Sequence, residues 1–151
     1  MGNTRDRGGG RYLQRPDPAV GMEDTELLER ARAAVERSYA PYSEYRVGAA
    51  LETADGTVFT GCNVENANYS NSVHAEELAL SKAVAAGHRS FDRIAVSSDR
   101  RDGVTPCGTC RQSLAEFCGA EFRVVCEGDP EPSVRSLGTL LPDAISMEHL
   151  R

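Results

Sequence analysis

The order of the elements along this chain predicts a layered α/β domain, with helices packed on a mixed β-sheet. Three observations carry the prediction. Apolar residues at helical spacing open the patterned part of the sequence. Two strand-like runs joined by Asp55-Gly56, a strong hairpin signal, come next. After the hairpin, helical and strand-like segments alternate.

Each element follows from local chemistry. Leu27, Leu28, Ala31, Ala34 and Val35 recur at helical spacing within Glu23–Tyr39, with Glu23, Asp24 and Glu26 suited to the positive end of a helix dipole and Pro41 as the expected stop. Val47–Glu52 and Val58–Val64 are the hairpin strands, and residues 65–72 form a loop. An alanine-rich helix over Val73–Ala86 closes at Gly87, a C-cap glycine. Ile94–Ser97 reads as a short buried strand, Cys107–Phe117 as a helix capped by Gly119, and Phe122–Cys126 as a further strand. The tail from Ser133 contains Leu137, Leu140 and Leu141 before Pro142, and no internal repeat is visible.

Bulk properties narrow the function. A length of 151 residues, 40% hydrophobic and 26% charged, suits one compact domain with a real core. A net charge of −6 disfavours gripping a polyanionic nucleic acid through counterion release. Sixteen of the 17 basic residues are arginine, Lys82 being the only lysine; salt adaptation and a GC-rich genome explain that bias equally well. No stretch approaches the roughly 20 apolar residues that cross a membrane. Residues 1–21, with Gly8-Gly9-Gly10, Pro16, Pro18 and four arginines, read as a disordered N-terminal tail, the folded domain occupying 22–151. Two other readings of that tail are a nucleic-acid arm and a start of synthesis at Met22. Five cysteines, an odd number, and the absence of a signal-peptide pattern point to a cytoplasmic enzyme with reduced thiols. Cys62, Cys118 and Cys126 read as buried, inert thiols, and His88 and His149 as surface residues.

Two motifs open two of the predicted helices: His74-Ala75-Glu76 and Pro106-Cys107-Gly108-Thr109-Cys110. A strand and loop deliver each, so both helix starts should face one end of the sheet, where α/β proteins place ligands. Zinc favours tetrahedral nitrogen and sulfur ligands, and catalytic sites use three of them plus a water. Cys107 and Cys110, three apart on a first turn, can reach one ion, and helix N-termini favour the thiolate. His74 completes three ligands and leaves the fourth position open, where zinc lowers the pKa of water to about 7. Glu76, two positions from His74, shares the cavity as the catalytic general acid/base without being a ligand. Either motif alone is weak, since Cys-x-x-Cys also serves redox pairs and zinc ribbons. Together, in this order, they match the H-x-E…P-C-x-x-C signature of zinc deaminases. A structural zinc site would want a fourth Cys or His, and none lies at suitable spacing.

Further motifs extend the match: Ala40-Pro41-Tyr42-Ser43, Val47-Gly48-Ala49-Ala50-Leu51, Gly61-Cys62-Asn63-Val64-Glu65-Asn66-Ala67, Arg111-Gln112 after Cys110, and Leu140-Leu141-Pro142. On these the chain resembles the short, homotetrameric branch of the cytidine deaminase family over about residues 22–150. The resemblance implies an α/β/α sandwich around a five-stranded mixed sheet. It implies one zinc ion per subunit and hydrolysis of cytidine and deoxycytidine to the uridines in pyrimidine salvage. It also implies a homotetramer taking a small nucleoside, with no nucleic-acid or membrane partner. By position, Asn63 and Glu65 would hydrogen-bond the ribose 3′-hydroxyl, a pair that an analogue lacking that hydroxyl would leave unsatisfied. Ala75 would give its backbone N–H to the pyrimidine 2-oxo group, Tyr45 would stand beside the base, and Tyr69 would reach the sugar in a neighbouring subunit's site.

The chain departs from the branch at three places. His74-Ala75-Glu76-Glu77 stands where Cys-Ala-Glu-Arg is usual. Zinc with three thiolates carries about −1, offset by that arginine, whereas zinc with one imidazole and two thiolates is neutral; losing both together is self-consistent. Glu77 is read as facing solvent, the alternative being support of His74 from behind. Tyr45 replaces a phenylalanine and brings a hydroxyl that needs a partner. Ile145 replaces a phenylalanine that stacks on the base from a neighbouring subunit, which bears on substrate identity and affinity. Competing readings are a deaminase of a modified cytosine nucleoside or nucleoside antibiotic, a polynucleotide editor, and a zinc-stabilised binding module without catalysis.

Overall fold

The computed structural model describes residues 21–151, so the disordered-tail reading of the N-terminus falls, but for Gly21, outside the described residues. Helix α1 (Asp24–Val35) precedes the hairpin β1 (Val47–Thr53) and β2 (Val58–Cys62). Helix α2 (Ala75–Ala85), strand β3 (Phe91–Ser98), helix α3 (Gly108–Ala115), strands β4 (Arg123–Cys126) and β5 (Ser133–Ser136) and the short α4 (Leu137–Leu140) follow. The five strands form one mixed sheet in the order β2-β1-β3-β4-β5, with β3 and β4 parallel and the other neighbours antiparallel.

The three layers follow from the two-residue period of the strands. Ala49, Leu51, Ile94, Val96, Val124 and Cys126 point to one face, where Ala75, Ala79, Leu80 and Ala83 of α2 and Leu114 of α3 close a core. Their neighbours Ala50, Ala95 and Val125 point to the other face and meet Leu27, Leu28 and Ala31 of α1. The sheet is thus buried on both sides, as the α/β/α reading requires.

Boundaries moved where pairing overrode local pattern. Helix α1 ends at Val35, well before Pro41, because the Tyr39 N–H donates to the Asn63 carbonyl (3.0 Å) and the Glu65 N–H to the Tyr39 carbonyl (2.8 Å). These bonds draw residues 38–40 into extended backbone before the proline is reached. Strand β3 is twice the predicted length, because Arg93 is neutralised inside the fold by Glu52 and Asp24, both at 2.5 Å. Strand β5, a polar edge strand (Ser-Val-Arg-Ser), carries no apolar alternation and was not anticipated. Gly87 does close α2 with φ +97°. Gly119 does not cap α3: the helix ends at Ala115, and Gly119 is not among the left-handed residues. Cys118 therefore lies in the turn after α3, half-buried; Cys62 is also half-buried, and only Cys126 of the three is fully enclosed. His88 is half-buried as well, edge-on to Phe59 at 5.3 Å.

Two glycines let the helices sit directly on the sheet. A Cβ on Gly48 would lie 2.1 Å from the Ala31 carbonyl oxygen of α1, and one on Gly61 would lie 2.2 Å from the Ala75 oxygen and 2.6 Å from the Ala79 nitrogen of α2. Neither obstacle is a flexible side chain, so backbone must move. Gly61→Ala should cost about 2–3 kcal/mol by overpacking and lower the melting temperature by roughly 5–10 °C. Gly108, with nothing within 4 Å of its Cβ position, is the control: Gly108→Ala should leave the melting temperature within about 2 °C. Differential scanning calorimetry of the two variants checks both.

Candidate active site

Strand β2 runs parallel to β3, because each is antiparallel to β1. Their C-terminal ends therefore share one edge of the sheet, and α2 and α3 both begin there. His74 is the N-cap of α2 and Cys107 the N-cap of α3, both in extended backbone; Cys110 sits in the first turn of α3. The His74 Nδ1 lies 3.3 Å from Cys110 Sγ and 3.3 Å from Cys107 Sγ. One ligand atom from each of the three residues falls within 4.8 Å of the others.

This donor set fits zinc. Tetrahedral bonds of about 2.0 Å to nitrogen and about 2.3 Å to sulfur place those atoms about 3.5 Å apart, close to the spacing seen. Among the described residues no fourth His, Cys, Asp or Glu joins the group. A closed structural site would need one, so the arrangement matches the three-ligand catalytic kind. Burial pushes the Cys110 thiol far above its ordinary range, with the Glu76 carboxylate adding to the shift. A divalent cation reverses that balance, because a coordinating thiol is deprotonated outright. Two thiolates and a neutral imidazole would balance a dication, so the site calls for no arginine at position 77, where this chain has Glu77.

Glu76 is 5% exposed, in the first turn of α2 beside His74 and near Cys110. Desolvation raises its pKa above the ordinary carboxylate range; Cys110 and His74 pull the other way. Glu77 is half-buried, short of the solvent-facing position expected.

A cavity of about 300 Å³ opens beside the cluster. Tyr45, Asn63, Glu65, His74, Ala75, Glu76 and Cys107 all line it, so the structure gathers residues from the segment before β1, the segment after β2 and both helix starts. Ala75 is the first residue of α2, and its N–H is one of the donors a helix start leaves unpaired within the helix. Tyr69 does not line the cavity; it is 74% exposed and packs edge-on against Tyr42 at 5.7 Å. Ile145 is exposed too, its carbonyl accepting from Gln112 at 3.1 Å.

The Asn63–Glu65 pair differs from expectation in one respect: both side chains are already engaged. The Asn63 Oδ1 accepts from the Val47 N–H at 2.8 Å and from the Ser38 hydroxyl, and its Nδ2 donates to the Tyr45 carbonyl at 2.8 Å. Glu65 accepts from the Tyr42 and Ser43 N–H groups at 2.9 and 3.0 Å and from the Ser43 hydroxyl. These bonds hold the Glu65 carboxyl below the usual carboxylate range, the Ser43 hydroxyl contributing most.

Sequence reasoning assigned no role to five residues that line or brace the site. Ser43, Val104 and Thr105 line the cavity; Ser43 stands in the Ala40-Pro41-Tyr42-Ser43 motif without an assigned role, and nothing in the local pattern marks Val104 or Thr105. Arg111 donates to the carbonyls of Pro106 and Leu140, each at 2.7 Å, and to the Thr105 hydroxyl at 2.9 Å, fixing the approach to Cys107. Asp102 accepts from the Tyr45 hydroxyl at 2.7 and 2.9 Å. The need for such a partner was legible in Tyr45, but its identity was not.

Comparison with known proteins agrees with this geometry. Residues 22–126 match the family described as the cytidine and deoxycytidylate deaminase zinc-binding region. The chain is 44% identical over 132 residues to a cytidine deaminase of Sporosarcina psychrophila, covering 85% of this chain and 96% of that protein. It is 43% identical to a probable cytidine deaminase of Dictyostelium discoideum, covering 87% and 90%. Among solved structures it is similar to a cytidine deaminase from Burkholderia pseudomallei, with a TM-score of 0.77 and 47% identity, covering 82% of this chain and 100% of that one. No helix among the described residues is long and apolar enough to cross a membrane.

Proposed function

Since the chain belongs to the cytidine and deoxycytidylate deaminase family, we propose that it hydrolyses cytidine and deoxycytidine to uridine and deoxyuridine, releasing ammonia. The observation that carries this reading is the juxtaposition of a three-ligand His74–Cys107–Cys110 cluster and buried Glu76 in one cavity. Zinc held there supplies a Lewis acid that makes hydroxide available from water near neutral pH. Glu76 takes one proton from the attacking water and delivers it to the ring nitrogen, then takes the second from the newly added hydroxyl and delivers it to the amine, which leaves as ammonia. Its burial suits it to both, because desolvation keeps the protonated form accessible. The Ala75 N–H orients the ring through its 2-oxo group, and the Tyr45 ring stands beside the base.

The test is a timed ultraviolet assay on both nucleosides, with and without chelator. Turnover of both that stops on chelation supports the reading; a zinc-loaded protein that leaves both unchanged sinks it.

Asn63 and Glu65 hold the ribose through what their existing bonds leave over: one Nδ2 hydrogen and the remaining carboxylate lone pairs. An analogue without the 3′-hydroxyl therefore forfeits hydrogen bonds without orphaning buried groups. We expect 3′-deoxycytidine to lose about 10- to 100-fold in kcat/KM, the worth of one charge-assisted hydrogen bond. Steady-state kinetics on the two nucleosides measure it.

The assembly is a homotetramer of cytoplasmic subunits, and the exposed Tyr42, Tyr69, Ile145, Met147 and Leu150 supply apolar surface for it. Sedimentation should give four times the 16.3 kDa chain mass; a stable monomer would contradict this.

A further inference from the structure

We propose that Asp102 is a positioning residue for the nucleobase, holding the Tyr45 hydroxyl out of the cavity so that the substrate meets only the ring. The inference rests on the deaminase reading above and concerns a part of the wall where this chain carries its own residues.

Four observations converge on Asp102. Both of its carboxylate oxygens accept from the Tyr45 hydroxyl, at 2.9 and 2.7 Å. The Ser98 hydroxyl, on a residue 2% exposed at the end of β3, donates to the same carboxylate at 2.9 Å. Asp102 sits two residues before Val104, which lines the cavity as Tyr45 does. The Arg100 guanidinium lies 5.0 Å from the centre of the Tyr45 ring and is not among the cavity-lining residues. Aromatic rings attract a cation at this distance, so the ring is held by its hydroxyl and by its π-system at once.

The backbone is shaped to build this clasp. Glu44, just before Tyr45, has φ +55°, and Arg101, just before Asp102, has φ +48°. Both are non-glycine residues in the left-handed region, which persists only where surrounding contacts over-determine it. The Asp102 carboxyl is held below its ordinary range, the Tyr45 hydroxyl contributing most, so it stays an acceptor at neutral pH.

The functional consequence follows from satisfaction of the hydroxyl. A phenol turned into the cavity would seek a partner on the base and would tolerate several orientations of it. Spent on Asp102, it leaves an apolar wall with one orientation. Because Ile145 provides no stacking ring, this wall carries more of the task of fixing the base than a freely rotating tyrosine could. Asp102 thus acts through Tyr45 and touches no substrate itself.

Calorimetric titration of the zinc-loaded protein with uridine, a product that undergoes no turnover, tests the clasp. Asp102→Ala should weaken uridine about tenfold, because the freed Tyr45 hydroxyl, left without its partner, turns toward the base. Asp102→Asn, which keeps an oxygen for the hydroxyl, should retain affinity to within about threefold. Adding Asp102→Ala to Tyr45→Phe should cost little beyond Tyr45→Phe alone, whatever that single change costs, because the hydroxyl is gone. In cytidine kinetics the Asp102→Ala loss should fall on KM more than on kcat, with zinc content unchanged. The inference is overturned if Asp102→Ala costs the same in both backgrounds, which would mean Asp102 only props up its own loop. It is equally overturned if Asp102→Ala leaves uridine affinity unaltered. A wild-type protein that neither deaminates cytidine nor binds uridine would instead overturn the functional reading itself.

Discussion

Replacing Glu76 by glutamine is expected to abolish turnover while leaving zinc in place. The carboxylate lies beside the Cys110 thiol but is no member of the ligand cluster, so an amide of the same volume neither removes a metal bond nor opens a cavity. What it removes is, among the described residues, the buried carboxylate that lines the cavity and can accept a proton and return one twice in a cycle. General acid–base catalysis at a single site supplies about 10²–10⁴-fold. A residue serving more than one proton transfer should exceed the upper end, so kcat should fall by at least about 10⁴-fold. Metal analysis and stopped-time kinetics on the same preparation check the two halves. A Glu76→Gln enzyme within tenfold of wild type would remove Glu76 from the chemistry. Loss of zinc along with activity would make it a ligand instead.

The second large effect is expected at Cys110. This residue is 1% exposed, and its Sγ lies 3.3 Å from His74 Nδ1, so nothing from solvent readily replaces it. Even residues that only support a metal ligand cost 10- to 100-fold in affinity when changed, so removing a ligand should cost more than about 100-fold. Cys110→Ala should purify with less than about a tenth of one zinc per chain and with no measurable deamination. Because zinc binds the native state, its loss should also lower the melting temperature, and chelating wild type should reproduce that shift. A Cys110→Ala protein that keeps full zinc occupancy would show that the cluster is not the metal site.

How much of this was legible in the sequence depends on how local the determining physics is. The two helices bearing His74, Glu76, Cys107 and Cys110 were readable because their period, their Gly87 terminator and their ligand spacing lie within short windows. Even there the boundaries shifted by one or two residues, and the shift matters: His74 and Cys107 are N-caps, outside the helices proper. The end of α1 was misplaced because pairing of Tyr39 with Asn63 and Glu65 acts across the chain, while Pro41 acts only nearby. Strand β3 was read short because Arg93 looks like a solvent residue until Glu52 and Asp24 are seen beside it. Strand β5 was missed because an edge strand needs no apolar face. The same rule explains the site's walls. Asn63 and Glu65 could be named from their motif, but not their engagement by Ser38, Val47 and Ser43; the Tyr45 hydroxyl announced a missing partner, but Asp102 could be found only in three dimensions.

The central claim, a catalytic His-Cys-Cys zinc site left open to substrate, is tested most directly by zinc X-ray absorption spectroscopy of the purified protein. The account predicts two sulfur ligands and one imidazole, with the remaining coordination not filled by a protein side chain. Three or four sulfurs, or a second protein nitrogen completing a closed shell, would contradict it.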